Sequence, residues 1–128
     1  MAALPVDGAC GVRVLVCGGR DFRDGQFLYQ MLDALHKSNP IDVLIEGDAR
    51  GADRLAGYWA RKHHITNLKF PADWKRYGKA AGGIRNALML AEGKPDLVVA
   101  FPGGNGTRNM MNKAKDAGIE VIQPEPDG

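Results

Sequence analysis

Short apolar runs and longer amphipathic stretches alternate along most of this chain. Residues 12–17 are apolar and rich in β-branched side chains, the pattern of a strand. Over residues 24–37, Phe27, Leu28, Met31, Leu32 and Leu35 recur every three or four positions and so share one helical face. Asp24 stands where that helix needs an N-cap, and Pro40 stops it. Residues 42–46 predict a second strand. Residues 52–63 predict a helix with Leu55, Tyr58 and Trp59 on its apolar side. Residues 67–70 form a short third strand and residues 73–79 a polar loop. Residues 84–92 carry Leu88, Met89 and Ala91 and predict a helix. Residues 96–101 predict a fourth strand. Residues 107–117 predict a helix ended by Gly118, and residues 119–122 a fifth strand. The domain is thus expected over residues 12–122, with a loose leader at 1–11 and a frayed tail at 123–128.

Strands alternating with amphipathic helices imply parallel βαβ units. Continuous apolar strands suit a sheet covered on both faces. The expected fold class is α/β: a Rossmann-like open parallel sheet of about five strands, in the order 3-2-1-4-5. Ligands of such sheets sit beyond the carboxyl ends of the strands, at the switch point.

That rim is where the polar and glycine residues gather. After the fourth strand comes Pro102-Gly103-Gly104-Asn105-Gly106-Thr107, followed by a helix. A glycine-rich turn between strand and helix lets backbone N–H groups approach a phosphate, and the helix dipole favours its charge. Thr107 adds a hydroxyl. The first strand ends in Gly18-Gly19-Arg20-Asp21, and the second in Gly47-Asp48-Ala49-Arg50-Gly51-Ala52-Asp53. Arginine holds a phosphate through two parallel hydrogen bonds. Asp21, Asp48 and Asp53 would repel it, so they suit ribose hydroxyls or the orientation of an arginine. Each glycine has an ordinary turn reading beside this one, as Asp24 has a capping reading and Asp53 a first-turn one. The stretch 72–86 is basic and aromatic. Trp74 or Tyr77 can stack on a base, or Trp74 can lie as a lid over the core. Lys75, Lys79 and Arg85 can meet phosphate. Arg85 and Asn86 are expected near a helix N-terminus.

Composition narrows the setting. At 128 residues, with 45% hydrophobic and 25% charged residues, the chain makes one domain with a real core. A net charge of +2 gives no global argument for nucleic acid. Cys10 and Cys17 form neither a disulfide framework nor a zinc pattern, and Cys17 falls in a strand as a buried structural thiol. His63 and His64 end a helix with no third ligand at a metal-binding spacing, so no metal is expected. Neither a signal peptide nor a spanning segment is present, which fits a reduced, cytoplasmic protein away from membranes.

Five segments together resemble the YspA-like branch of the SLOG superfamily. They are Gly18-Gly19-Arg20-Asp21-Phe22, the 47–53 loop, Ala72-Asp73-Trp74, Ala81-Gly82-Gly83-Ile84-Arg85-Asn86, and Phe101 with the 102–107 loop. The resemblance spans about residues 12–122. It implies a Rossmann-like fold that senses or processes nucleotides and nucleotide-derived ligands. The implied kin are the cytokinin-activating phosphoribohydrolases and the DNA-processing protein A family. Other members sense NAD-related signals. The phosphoribohydrolases are similar in Pro-Gly-Gly-x-Gly-Thr-x-x-Glu, where the glutamate works on the ribose and glycosidic bond, and Arg85 looks like their helix arginine. Here the last position is Met110. A thioether neither accepts a proton nor stabilises an oxocarbenium centre.

The resulting expectation is a domain that binds a nucleotide or an NAD- or ADP-ribose-like molecule and requires no cofactor. Gly18, Gly19, Arg20, Asp21, Gly47, Asp48, Arg50, Gly51, Asp53, Trp74, Arg85, Asn86, Pro102, Gly103, Gly104, Gly106 and Thr107 would form the site. One alternative is an N-glycosidic hydrolase of nucleoside monophosphates, with Asp48, Asp53 and Arg85 as catalytic candidates. The other is single-stranded DNA binding, which the near-neutral charge disfavours. A homodimer is expected through helices 84–92 and 107–117, which carry Met89, Met110 and Met111; the resemblance implies dimers too.

Overall fold

The computed structural model describes residues 11–125. Cys10 and all of the expected leader except Gly11 lie outside the described residues, as do the last three residues of the tail. The five strands are parallel, as the alternation predicts, and run in the expected order 3-2-1-4-5. They are β1 (Val12–Cys17), β2 (Ile41–Glu46), β3 (Thr66–Lys69), β4 (Leu97–Ala100) and β5 (Glu120–Ile122). β1 sits at the centre, with Leu15 opposite Ile45 on β2 and Val98 on β4. The switch point therefore falls between β1 and β4.

Alternate residues of β1 feed two separate cores. Val14 and Val16 face α1 (Gly25–Ser38) and α2 (Ala52–Lys62), where Leu28, Leu32, Trp59 and Phe101 are fully enclosed. Leu15 and Cys17 face α4 (Ala81–Gly93) and α5 (Asn105–Asp116), packed with Ile45, Met89, Val98 and Met110. Enclosing each of the larger apolar side chains contributes about 1.5–3 kcal/mol. Trp59 keeps its polar edge satisfied, donating from Nε1 to Asp33 at 2.8 Å.

Local chemistry sets the helix ends. The Asp24 carboxylate accepts from the Phe27 amide at 3.0 Å and starts α1, as expected. Gly118, at φ +76°, follows the end of α5. Residues 73–79 are not the polar loop expected. Asp73 caps a one-turn helix, α3 (Trp74–Tyr77), and a 3₁₀ turn (Gly78–Ala80) leads straight into α4. The polar composition hid a capping signal, the Asp73 side chain accepting from Arg76 N at 3.1 Å. Consequently α4 starts at Ala81, and Arg85 lies in its second turn instead of near its first residue. After β5, residues 123–125 have no regular structure, and Pro124 is buried.

The methionines do not supply the free apolar surface expected for a dimer. Met89 and Met110 are buried in the core and Met111 packs against it. The exposed large apolar side chains of α4 are Ile84 and Leu88.

Candidate functional site

The loops after β1, β2 and β4 meet at one rim and are tied through the backbone of a single residue, Gly19. The Gly19 amide donates to the Pro102 carbonyl at 2.9 Å, and the Gly19 carbonyl accepts from Phe22 and Ala52, both at 3.2 Å. This junction leaves no room for side chains. A Cβ on Gly18 would stand 2.6 Å from the Ala52 Cβ, and one on Gly103 would lie 2.6 Å from the Gly19 amide and against the Thr107 hydroxyl. Gly51 is at φ +86°, and a Cβ there would strike the Gly19 carbonyl.

Beside the junction opens a cleft of about 890 Å³ between the β1 and β4 loops, α3, and the first turns of α4 and α5. Its glycines behave oppositely. A Cβ on Gly83, Gly104 or Gly106 would meet nothing within 4 Å, and one on Gly82 only the Trp74 ring at 3.5 Å. No side chain caps α5, which begins after Gly104, and Gly104 to Thr107 line the cleft. Free amides at a helix start beside empty space are an anion-accepting arrangement.

The charges around the cleft are mostly positive: Arg20, Lys79, Arg85 and Lys113 against Asp53. Arg20 places its guanidinium over the Trp74 ring, 5.1 Å from the centroid, linking the β1 loop to α3. Trp74 remains 48% exposed, so it is no plug over the core. Arg85 is held from two sides, donating from Nη1 to the Gly47 carbonyl at 2.7 Å and from Nε to Asn86 Oδ1 at 2.9 Å. Burial pulls its pKa down, and the Asp53 charge opposes that shift. Asn86 is buried and donates to the Gly106 carbonyl and to Asn109 Oδ1, at 3.3 and 3.0 Å. It thereby ties α4 to the first turn of α5.

Asp53 is the one carboxylate of the cleft. Its Oδ2 accepts from the amides of Gly47 and Ala49 at 3.2 and 3.3 Å. Burial pushes its pKa up to about 7, against the opposing pull of the Ala49 amide and Arg85. It can hold or release a proton near neutrality. Cys17 forms part of the floor. Burial, and then the Asp53 charge, push its thiol up to about 12. It stays protonated at neutral pH, in keeping with a structural role.

Ten of the expected site residues line this cleft: Gly18, Gly19, Arg20, Asp53, Trp74, Arg85, Asn86, Gly104, Gly106 and Thr107. Gly47, Pro102 and Gly103 stand behind it, as partners of Arg85, Gly19 and Thr107. The remaining four are not brought there. Asp48 turns at φ +58° toward Arg54 and Lys69, at 3.6 and 3.9 Å, in a neighbouring hollow. Asp21 pairs with Arg50 at 3.3 Å on the open surface, and Arg50 and Gly51 line a third depression. Asp21 and Asp48 do not line the cleft: Asp48 faces Arg54 and Lys69, and Asp21 stands on the open surface beside Arg50. Lys75 does not line it either. Sequence reading passed over Asn109 and Lys113. They follow Gly106 at i+3 and i+7, so helical spacing from the glycine loop marks them. Glu46 was also passed over as the end of a strand. It is fully enclosed and accepts from the Asp48 amide at 2.6 Å and from Asn67 at 3.3 Å.

The sequence profile of the YspA, cpYpsA-related SLOG family matches residues 12–77, from β1 through α3. The chain belongs to this family. The gene 61 protein of Mycobacterium phage D29 is 41% identical over 118 residues, covering 86% of this chain and 94% of that protein. In structure, 92% of the chain superposes on DNA processing protein A from Streptococcus pneumoniae, with a TM-score of 0.72 and 18% identity. The chain spans about half of that protein, 51% of its length, and the likeness is one of fold. The matched family segment carries the β1 and β2 loops. The glycine loop at 102–107 lies beyond it.

Among the described residues no three His, Cys, Asp or Glu side chains stand together as a metal site, and no helix is long and apolar enough to cross a membrane.

Proposed function

We propose that this protein binds a nucleotide or nucleotide-derived ligand in the 890 Å³ cleft. Its phosphate sits on the amides at the start of α5, beside Arg20 and Arg85. The observation that carries this reading is the empty space over Gly104 and Gly106 at an uncapped helix start. No protein atom occupies the space over these two glycines, and a phosphate close to the backbone uses that space. Trp74 offers a π-face to a base, and family membership supports the ligand class.

Titration calorimetry with the four ribonucleoside monophosphates tests it. Gly104→Val fills the phosphate position from a site where a side chain meets no protein atom. The variant should melt like the wild type and lose affinity at least about tenfold, the equivalent of about 1.4 kcal/mol. Unchanged affinity in the folded variant overturns the placement.

A second reading, hydrolysis of the N-glycosidic bond, draws on Asp53. A carboxylic acid titrating near 7 inside such a cleft suits proton transfer to or from the reacting groups. Met110 takes no part: it is enclosed beneath α5, and Met110→Glu would place a carboxylate in that apolar layer. Release of free base that vanishes in Asp53→Asn supports this reading, and absence of release leaves a binding protein.

A further inference from the structure

The cleft does not end at Arg20. On the other side of that residue lies the depression that Arg50 and Gly51 line, of about 340 Å³, and Arg20 lines both. The floor of the depression is Phe22, Gly51 and Leu55, with Tyr58 beside them, and its charged lining is arginine only: Arg20, Arg23, Arg50 and Arg54. Phe22 is fixed from below, its ring 5.4 Å from that of Phe101, and Tyr58 is 52% exposed. Phe22 and Leu55 pack against the core and leave an apolar surface under several guanidinium groups. It matches an aromatic ring flanked by phosphate oxygens.

We propose that the ligand is a dinucleotide joined by phosphates, lying across Arg20. One nucleoside half occupies the main cleft, the bridging phosphates pass Arg20, and the second half rests on Phe22, Leu55 and Tyr58 under Arg23 and Arg50. The inference rests on the nucleotide reading of the main cleft and extends it. Past Arg54 the surface passes into a separate hollow, where Asp48 already engages Arg54 and Lys69. Arg50 is available to the ligand because its present partner, Asp21, is a surface carboxylate with an 86% exposed side chain, in a pair that holds it weakly.

Calorimetry on the full chain separates the two claims. The probes are the four nucleoside monophosphates, NAD, the four symmetric 5′–5′ pyrophosphate-linked dinucleosides, and a single-stranded 20-mer. The proteins are the wild type and an Arg23→Ala/Arg50→Ala double variant, whose changes lie on exposed side chains. A dinucleotide should bind the wild type at least about tenfold more tightly than its monophosphate, as expected of one added charged hydrogen bond. The double variant should lose that advantage and keep its monophosphate affinity. The same arginine dependence with no detectable monophosphate binding also supports the proposal. Equal affinity for mono- and dinucleotide overturns it and leaves the main cleft intact. Affinity that is highest for the 20-mer overturns it in favour of nucleic acid. No binding of any probe overturns both readings.

Discussion

Two groups of glycines stand within one rim and do opposite jobs. Gly18, Gly51 and Gly103 are glycines because protein presses on them: the junction of the three loops would collide with any Cβ. Gly83, Gly104 and Gly106 face space that the protein leaves empty. The first group builds the rim by bringing backbone against backbone. The second group keeps room beside it. Glycine-rich loops therefore need to be read residue by residue, by asking what occupies the volume of the missing side chain.

The comparison breaks most easily at Gly51. Gly51→Ala forces a side chain into a left-handed backbone and onto the Gly19 carbonyl, and should cost about 2–4 kcal/mol of stability. Urea denaturation measures it, and wild-type stability would contradict the packed junction. Next is Arg85→Ala, which removes a guanidinium anchored on Gly47 and should weaken nucleotide binding by about 1.5–3 kcal/mol in calorimetry. Asp73→Asn, on the cap of α3, should weaken it less.

A smaller effect is set by protons. Asp53 has a folded pKa of about 7 against an ordinary 3.8. The folded state keeps a proton that the unfolded chain has released, so its contribution to stability is complete below pH 3.8. It is then lost progressively as pH rises to about 7, and changes no further above that. Glu46, raised by burial, acts in the same direction. Thermal melts at pH 5 and pH 8 should show a larger loss on the alkaline side for the wild type than for Asp53→Asn. Equal losses would mean that Asp53 ionises at its ordinary value. The smallest effect belongs to Gly83→Ala, which should leave stability within about 1 kcal/mol of the wild type and raise it if the helix propensity of alanine prevails.

The sheet was readable because apolar and amphipathic segments alternate clearly; parallel connections leave few topologies, and among them the favoured order 3-2-1-4-5 is the one observed. The site was readable as a set of loops, since strand ends in such a sheet converge. Side-chain direction was not. Asp48 and Asp53 lie five positions apart in one loop and helix start, yet one faces Arg54 and the other the cleft, because a left-handed turn at Asp48 separates them. The start of α4 escaped notice because its first turn carries Gly82 and Gly83, both weak helix formers. That shift moved Arg85 inward by a turn. Met110 shifted likewise when α5 proved to begin at Asn105, two residues before the expected Thr107.

The backbone of Gly19, its amide bonded to Pro102 and its carbonyl to Phe22 and Ala52, makes the rim a single mechanical piece before any ligand arrives. A loop that must be ordered at the moment of binding loses conformational freedom then, and affinity falls accordingly. Here that ordering belongs to folding. In deuterium exchange of the empty protein, the amides of Gly19 and Ala52 should accordingly be protected nearly as long as those of the central strand.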